Sequence, residues 1–251
     1  MSESEDKKFV KKPLSAHLME LRKVLLVSGL AIILCTFFCY GLFQEPLMHI
    51  VTSPIGAYGI DLKFTSVTEA FMGYLKVSLL AGVIVASPVV FWQILKFVLP
   101  GLYSNEKRAF LLILFWMVLL FVIGVSFAYF LVLKFALKAL LFNFNGEFIP
   151  FITVSNYLGF FTKFLIPFGV VFEIPLMVYF LTFTGLVTPQ LLTKYRRYVI
   201  VIIVIAAGIF SPPDVLSQLL LAAPMYVLYE ISVILSKWVA RCQQKKRGTE
   251  S

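Results

Sequence analysis

Six stretches of this chain approach or meet the length of apolar helix that a membrane demands, and no other feature narrows its folding options as much. A hydrocarbon core about 30 Å thick takes about 20 helical residues to cross. In lipid every backbone polar group must be satisfied internally, which leaves only helices and closed barrels. The first stretch runs from about Val24 to Phe43, followed by a polar segment with Pro46, Pro54, Gly56 and Gly59. Ser66-Val-Thr-Glu69 then offers a capping box for a second helix, which carries Pro88 and stops at Pro100-Gly101. Ser104 caps a third, reaching about Phe144. Ser155 or Asn156 opens a fourth, which bears Pro167 and Pro175 and ends near Gly185. The fifth covers about Arg196 to Phe210 and the sixth about Val215 to Ser236. With 60% hydrophobic and 14% charged residues, a soluble fold of 251 residues has no way to bury this apolar content. The expected class is an all-α integral membrane protein with six transmembrane helices.

Orientation follows from the basic residues. Lys7, Lys8, Lys11, Lys12, Arg22, Lys23, Lys96, Lys107, Arg108, Lys194, Arg196, Arg197, Lys237, Arg241, Lys245, Lys246 and Arg247 all fall on one side of the six stretches. The opposite loops and helix ends hold only Lys63, Lys76, Lys134 and Lys138, with Lys163 inside a stretch. The positive-inside rule makes the first side cytoplasmic, which places both termini there and requires an even number of spans. The net charge of +9 is explained by topology without a nucleic-acid partner, although Gln243 to Arg247 can touch anionic lipid. No linker or repeat divides the chain, so one membrane domain is expected over 1–251. Its parts are a cytoplasmic segment (1–23), a six-helix bundle (24–236) and a basic cytoplasmic tail (237–251). The polar start does not resemble a removable signal. Cys35, Cys39 and Cys242, like His17 and His49, lack metal-ligand or redox spacing, so neither a metal nor a cofactor is expected.

The fifth stretch is short. Between Arg197 and Ser211 only about 13 residues are apolar, roughly 20 Å of helix. Ser211-Pro-Pro-Asp214 then turns at once into the sixth helix, so this hairpin should fall short of the far interface unless the bilayer thins.

Charges in or beside the spans are costly and mark places to look for function: Glu20, Glu106, Glu173, Asp214, Glu230 and Lys163. Glu20 and Glu106 also suit helix starts, where negative charge is favoured, and Asp214 suits a helix cap. Glu173 differs because it lies near the middle of the fourth stretch, where a carboxylate must find a partner, water or a proton. Lys163 is ten residues away, about 15 Å along a helix, and so cannot pair with it in one straight helix. Pro88, Pro167 and Pro175 should kink their helices and give a curved, concave bundle. The directions faced by Glu230 and Gln218 stay open.

Four ordered motifs carry a resemblance: His17-Leu-Met-Glu-Leu-Arg-Lys23, Phe97-Val-Leu-Pro-Gly-Leu-Tyr-Ser-Asn-Glu-Lys-Arg108, Phe172-Glu-Ile-Pro175 and Ser211-Pro-Pro-Asp-Val-Leu-Ser-Gln218. Together they resemble the TatC family, the polytopic subunit of the twin-arginine translocase, over essentially all six stretches. The resemblance implies a receptor for the twin-arginine signal peptides of folded precursor proteins in the cell inner membrane. It implies assembly with TatA-type and TatB-type single-span partners, a homo-oligomer within that complex, and transport driven by the proton-motive force, with no catalysis. Glu106 would be the main acceptor for the arginine pair and Glu20 would assist it, with Phe97 packing nearby and Arg22 in the same entrance motif. Glu173 would be a polar position inside the family's cavity, and Gln218 and Asp214 would lie where partner helices dock. The competing reading is a proton-coupled secondary transporter with Glu173 as proton carrier. Such a transporter should show repeat symmetry and several ionisable groups converging at midplane, whereas here the acids gather mainly at the cytoplasmic rim.

Overall fold

The computed structural model describes residues 14–98, 107–142, 151–210 and 215–247. Glu106, Asp214, the Ser104 cap and the Pro100-Gly101 stop lie outside them. Nine α-helices are described: α1 (Leu14–Gly56), α2 (Val67–Val98), α3 (Lys107–Phe127), α4 (Leu133–Phe142), α5 (Val154–Val171), α6 (Ile174–Phe183), α7 (Pro189–Lys194), α8 (Arg196–Phe210) and α9 (Val215–Arg247). A π-helical turn, Ala128–Val132, joins α3 to α4. Among the described residues, five helical stretches are long and apolar enough to cross a membrane: Leu18–Gly56, Val67–Val98, Lys107–Leu141, Val154–Phe183 and Ser217–Gln244. With 15 residues, α8 is not.

Helix α1 does not stop near Phe43. It runs on through Pro46 and Pro54 to Gly56, 43 residues in all. Proline at 54 removes the N–H that would bond the carbonyl of Ile50, and a distant side chain replaces it. The Tyr129 hydroxyl donates to Ile50 O at 2.8 Å and Ser53 Oγ donates to the same oxygen at 3.1 Å. At the next residue, the buried Tyr157 hydroxyl donates to Val51 O at 2.7 Å. The same logic holds at Pro88 inside α2, where Ser87 Oγ donates to the Ile84 carbonyl at 2.7 Å. Pro167 also sits within an uninterrupted helix. Of the three prolines expected to kink the bundle, only Pro175 coincides with a break: α5 ends at Val171 and α6 starts at Ile174.

Helices α1 and α2 form an antiparallel hairpin that brings backbones close. A Cβ on Gly82 would lie 2.8 Å from Thr36 Cα, and one on Gly124 of α3 would lie 2.7 Å from the Phe168 carbonyl of α5, so both contacts require glycine. The core sits around α5, whose Leu158, Phe161, Phe164 and Phe168 are fully buried, and α5 packs against α2, α3 and the π turn. Thr153, rather than Ser155 or Asn156, caps α5 by accepting from Asn156 N at 3.3 Å. Gly185, at φ 78°, ends the fourth stretch where its left-handed backbone suits glycine. Helix α9 continues well past Ser236. It is held by a Thr182–Ser236 hydroxyl pair at 2.8 Å and by Gln243 Nε2, which donates to the Phe183 carbonyl at 2.8 Å, so the expected tail is helical to Arg247.

Candidate functional site

At the N-terminal end of the bundle the hairpin brings together the start of α1 and the end of α2. Glu20 and Phe97 are half-buried there, and Arg22 is exposed. Just inside, Trp92 and Phe110 meet edge to face at 5.3 Å, with Phe110 fully buried, which fixes the start of α3 against α2. Residues 99–106, which contain Glu106, connect these two anchored helix ends.

From this end a cavity of about 440 Å³ extends into the bundle. Its wall is almost wholly apolar, with Ile94 and Val98 of α2, Met117 of α3 and Val170 and Met177 of the fourth stretch among its lining residues. Ser87 and Glu173 are the polar exceptions, and of the two only Glu173 is ionisable. Because Pro175 cannot continue the α5 ladder, Phe172 and Glu173 form a turn between α5 and α6, and Glu173 takes the N-cap position of α6 without capping it. It is 4% exposed, and neither carboxylate oxygen has a hydrogen-bond partner among the described residues. Leaving a buried acceptor unsatisfied is costly, and both oxygens of Glu173 are such acceptors in this wall.

Two polar groups whose directions the sequence left open now have partners. Arg196 Nη2 of α8 meets Glu230 Oε2 of α9 at 2.7 Å, and Gln218 Nε2 of α9 donates to the Val204 carbonyl of α8 at 2.9 Å. Both contacts tie the short α8 to α9. Glu230 is therefore a structural partner, and Gln218 spends one amide hydrogen inside the chain.

Glu69 is the residue that sequence reasoning undervalued. It was legible as a capping glutamate, and Ser66 Oγ does accept from Glu69 N at 3.3 Å. Yet its carboxylate does more: Oε2 accepts from Thr65 N at 2.7 Å and Thr65 Oγ1 at 2.6 Å, and Oε1 accepts from Ser155 N at 2.7 Å. One carboxylate thus serves the N-termini of α2 and α5 together, where negative charge is favoured. A parallel bridge between Lys63 and Thr153 lies beside it. The only local hint was that Ser155 also reads as a helix start.

Residues 16–224 match the family model described as "Sec-independent protein translocase protein (TatC)". The chain is 40% identical over 225 residues to the TatC protein of Carboxydothermus hydrogenoformans, covering 89% of this chain and 92% of the relative. It is 40% identical over 233 residues to that of Aquifex aeolicus, covering 91% and 96%. A crystal structure of the twin-arginine translocase receptor TatC superposes with a TM-score of 0.82 at 39% identity, over 89% of this chain and 99% of that one. This chain therefore belongs to the TatC family of Sec-independent protein translocase proteins, membrane components of protein transport.

Proposed function

We propose that this chain is the receptor core of a twin-arginine translocase, binding the twin-arginine signal peptides of folded proteins at the end of the bundle that carries its N-terminus. The observation that carries the reading is the junction of Glu20, Phe97 and the anchored ends of the Glu106 segment with the mouth of a deep apolar cavity. A signal peptide presents arginines followed by an apolar stretch, and this junction presents carboxylates followed by an apolar wall. Glu106 accepts the guanidinium pair, Glu20 assists, Phe97 packs against the peptide and Arg22 helps to frame the entrance. Two planar guanidinium forks engage carboxylates bidentately, which a lysine ammonium does not.

In this reading Glu173 meets a polar group of the guest, either the peptide or a single-span partner of the TatA or TatB type. Gln218 and Asp214 lie at the edge where such partner helices dock, and several copies of the chain associate within the complex. The chain forms one membrane domain of the cell inner membrane, and α8 counts as a sixth, thin span. The even count and the basic rim put both termini in the cytoplasm. Membership of a translocase family favours this reading over a proton-coupled solute transporter.

The test is photocrosslinking from Phe97, Glu106 and Met177 to a twin-arginine peptide and a twin-lysine control in membranes. The rim positions should label the arginine peptide near its arginine pair, Met177 should label its apolar stretch, and Glu106→Lys should abolish both without loss of inserted protein. Equal labelling of the two peptides, or binding retained in a folded Glu106→Lys variant, would refute the assignment.

A further inference from the structure

Among the cations toward the end of the bundle opposite the N-terminus, none of which the translocase reading uses, Lys76 and Lys163 stand on neighbouring helices. Lys76 and Lys163 are both exposed and both lie within membrane-length helices, where a charge is costly until it is paired. Neither forms an ion pair among the described residues. Glu69, two turns before Lys76, already spends its carboxylate on Thr65 and Ser155.

Helical spacing puts the two lysines on facing stripes. On α2, Met72 and Lys76 line a polar cavity of about 460 Å³ together with Thr68, Ser155 and Asn156. Seven residues on, Val83, Ser87 and Val90 line the apolar Glu173 cavity, on the same helix face. On α5, Asn156 lines the polar cavity, Ile166 and Val170 line the apolar one, and Lys163 lies between them at the same three- and four-residue steps. Gly159 falls in that stripe, and nothing lies within 4 Å of where its Cβ would stand. The two cavities are therefore the ends of one open furrow between parallel helices. Lys76 Nζ is already turned toward the rim, donating to Ser155 Oγ at 3.0 Å. Lys163 lies eight residues deeper than Ser155, about 12 Å along the axis, and a stem extended toward the rim shortens that gap.

We propose that this furrow binds the phosphodiester headgroup of an anionic phospholipid between Lys76 and Lys163, with an acyl chain lying along Gly159 and Ile166. Two cations select a net negative headgroup over a zwitterionic one. Ser155, Thr68 and Asn156 supply donors at the rim for the remaining phosphate oxygens, and the exposed Leu79 and Val170 suit a hydrocarbon tail. A carboxylate would satisfy one ammonium but would leave the rim hydroxyls and amide and the open apolar floor unexplained, which favours lipid over an acidic partner helix; the Glu69 carboxylate that also lines the rim is already taken up by Thr65 and Ser155.

The test is native mass spectrometry of the full chain released from nanodiscs of phosphatidylglycerol or phosphatidylcholine, with free glycerol phosphate as a headgroup-only arm. Wild type should retain phosphatidylglycerol in preference to phosphatidylcholine, and glycerol phosphate alone should not bind. The paired Lys76→Gln and Lys163→Gln change should lower retention about tenfold or more, whereas Lys163→Arg should preserve it and show that the fold tolerates change there. Equal retention of the two lipids, or unchanged retention in the double variant, overturns the proposal. So does a double variant that keeps its lipid but no longer copurifies with a single-span partner, since the furrow would then belong to an acidic helix.

Discussion

Removing the Tyr129 hydroxyl tests whether a side chain on the π turn keeps α1 helical through Pro54. Proline at 54 leaves the Ile50 carbonyl without its ladder donor, and the two hydroxyls of Tyr129 and Ser53 reach it at 2.8 and 3.1 Å. They also lie 3.0 Å from each other. In Tyr129→Phe the Ser53 donor remains, so the carbonyl is not orphaned and the loss should be about 0.6 kcal/mol, the average for interhelical hydrogen bonds in membranes. Ser53→Ala alone should cost no more. Together they strip both donors from a carbonyl inside a membrane helix, and the cost should rise to about 1–3 kcal/mol, more than the sum of the singles. Adding Pro54→Ala to the double variant restores the backbone donor and should recover most of that loss. Tyr157→Phe is the internal control: its hydroxyl bonds Val51 O, whose ladder donor at Ile55 is intact, so Pro54→Ala should not change its effect. Equilibrium unfolding in mixed micelles, with sodium dodecyl sulfate as denaturant, reads all of these differences. Strict additivity, or no rescue by Pro54→Ala, would refute the claim that these hydroxyls substitute for the missing donor.

Two further outcomes follow from the same structure. Glu69→Ala should free the amides of Thr65 and Ser155 together, and hydrogen exchange at the starts of α2 and α5 should rise in concert while the α8–α9 hairpin is unchanged; exchange confined to α2 would mean that Glu69 is only a local cap. With 15 residues, α8 supplies about 22 Å of helix against a hydrocarbon core of about 30 Å, so electron cryomicroscopy of nanodiscs should show the bilayer thinned beside α8 and α9, and uniform thickness there would contradict the thin-span reading.

What was legible in the sequence was what depends on neighbours along the chain. Arg196 to Phe210 was read as a helix from its apolar length and basic start, and the structure has it over those residues. Gly185 was read as a helix end, and its positive φ explains why. Glu173 was legible because a carboxylate in an apolar run is anomalous under any packing. Its unpartnered oxygens in the cavity wall show that the anomaly is not relieved within the described chain. The misreadings were of the opposite kind. Pro46 and Pro54 read as the end of a helix because the donor that offsets Pro54 sits 79 residues away from Ile50, on Tyr129. Glu69 read as a cap because its second client, Ser155, is 86 residues distant. Pro88 read as a kink, although Ser87 beside it already supplied the remedy, and that local clue was missed.

A charged or kinking residue in an apolar stretch is therefore visible from sequence alone, but whether its cost is met depends on partners far along the chain. Glu69 and Ile50 find theirs within the fold. Glu173, Lys76 and Lys163 find no counter-charge among the described residues, and these three line or bridge the two cavities of one furrow. In a chain with so few charges, unpaired groups gathered on one face are costly unless something outside the chain pairs with them. That is the physical reason to look for the guests of this protein along α2 and α5 rather than elsewhere on the bundle.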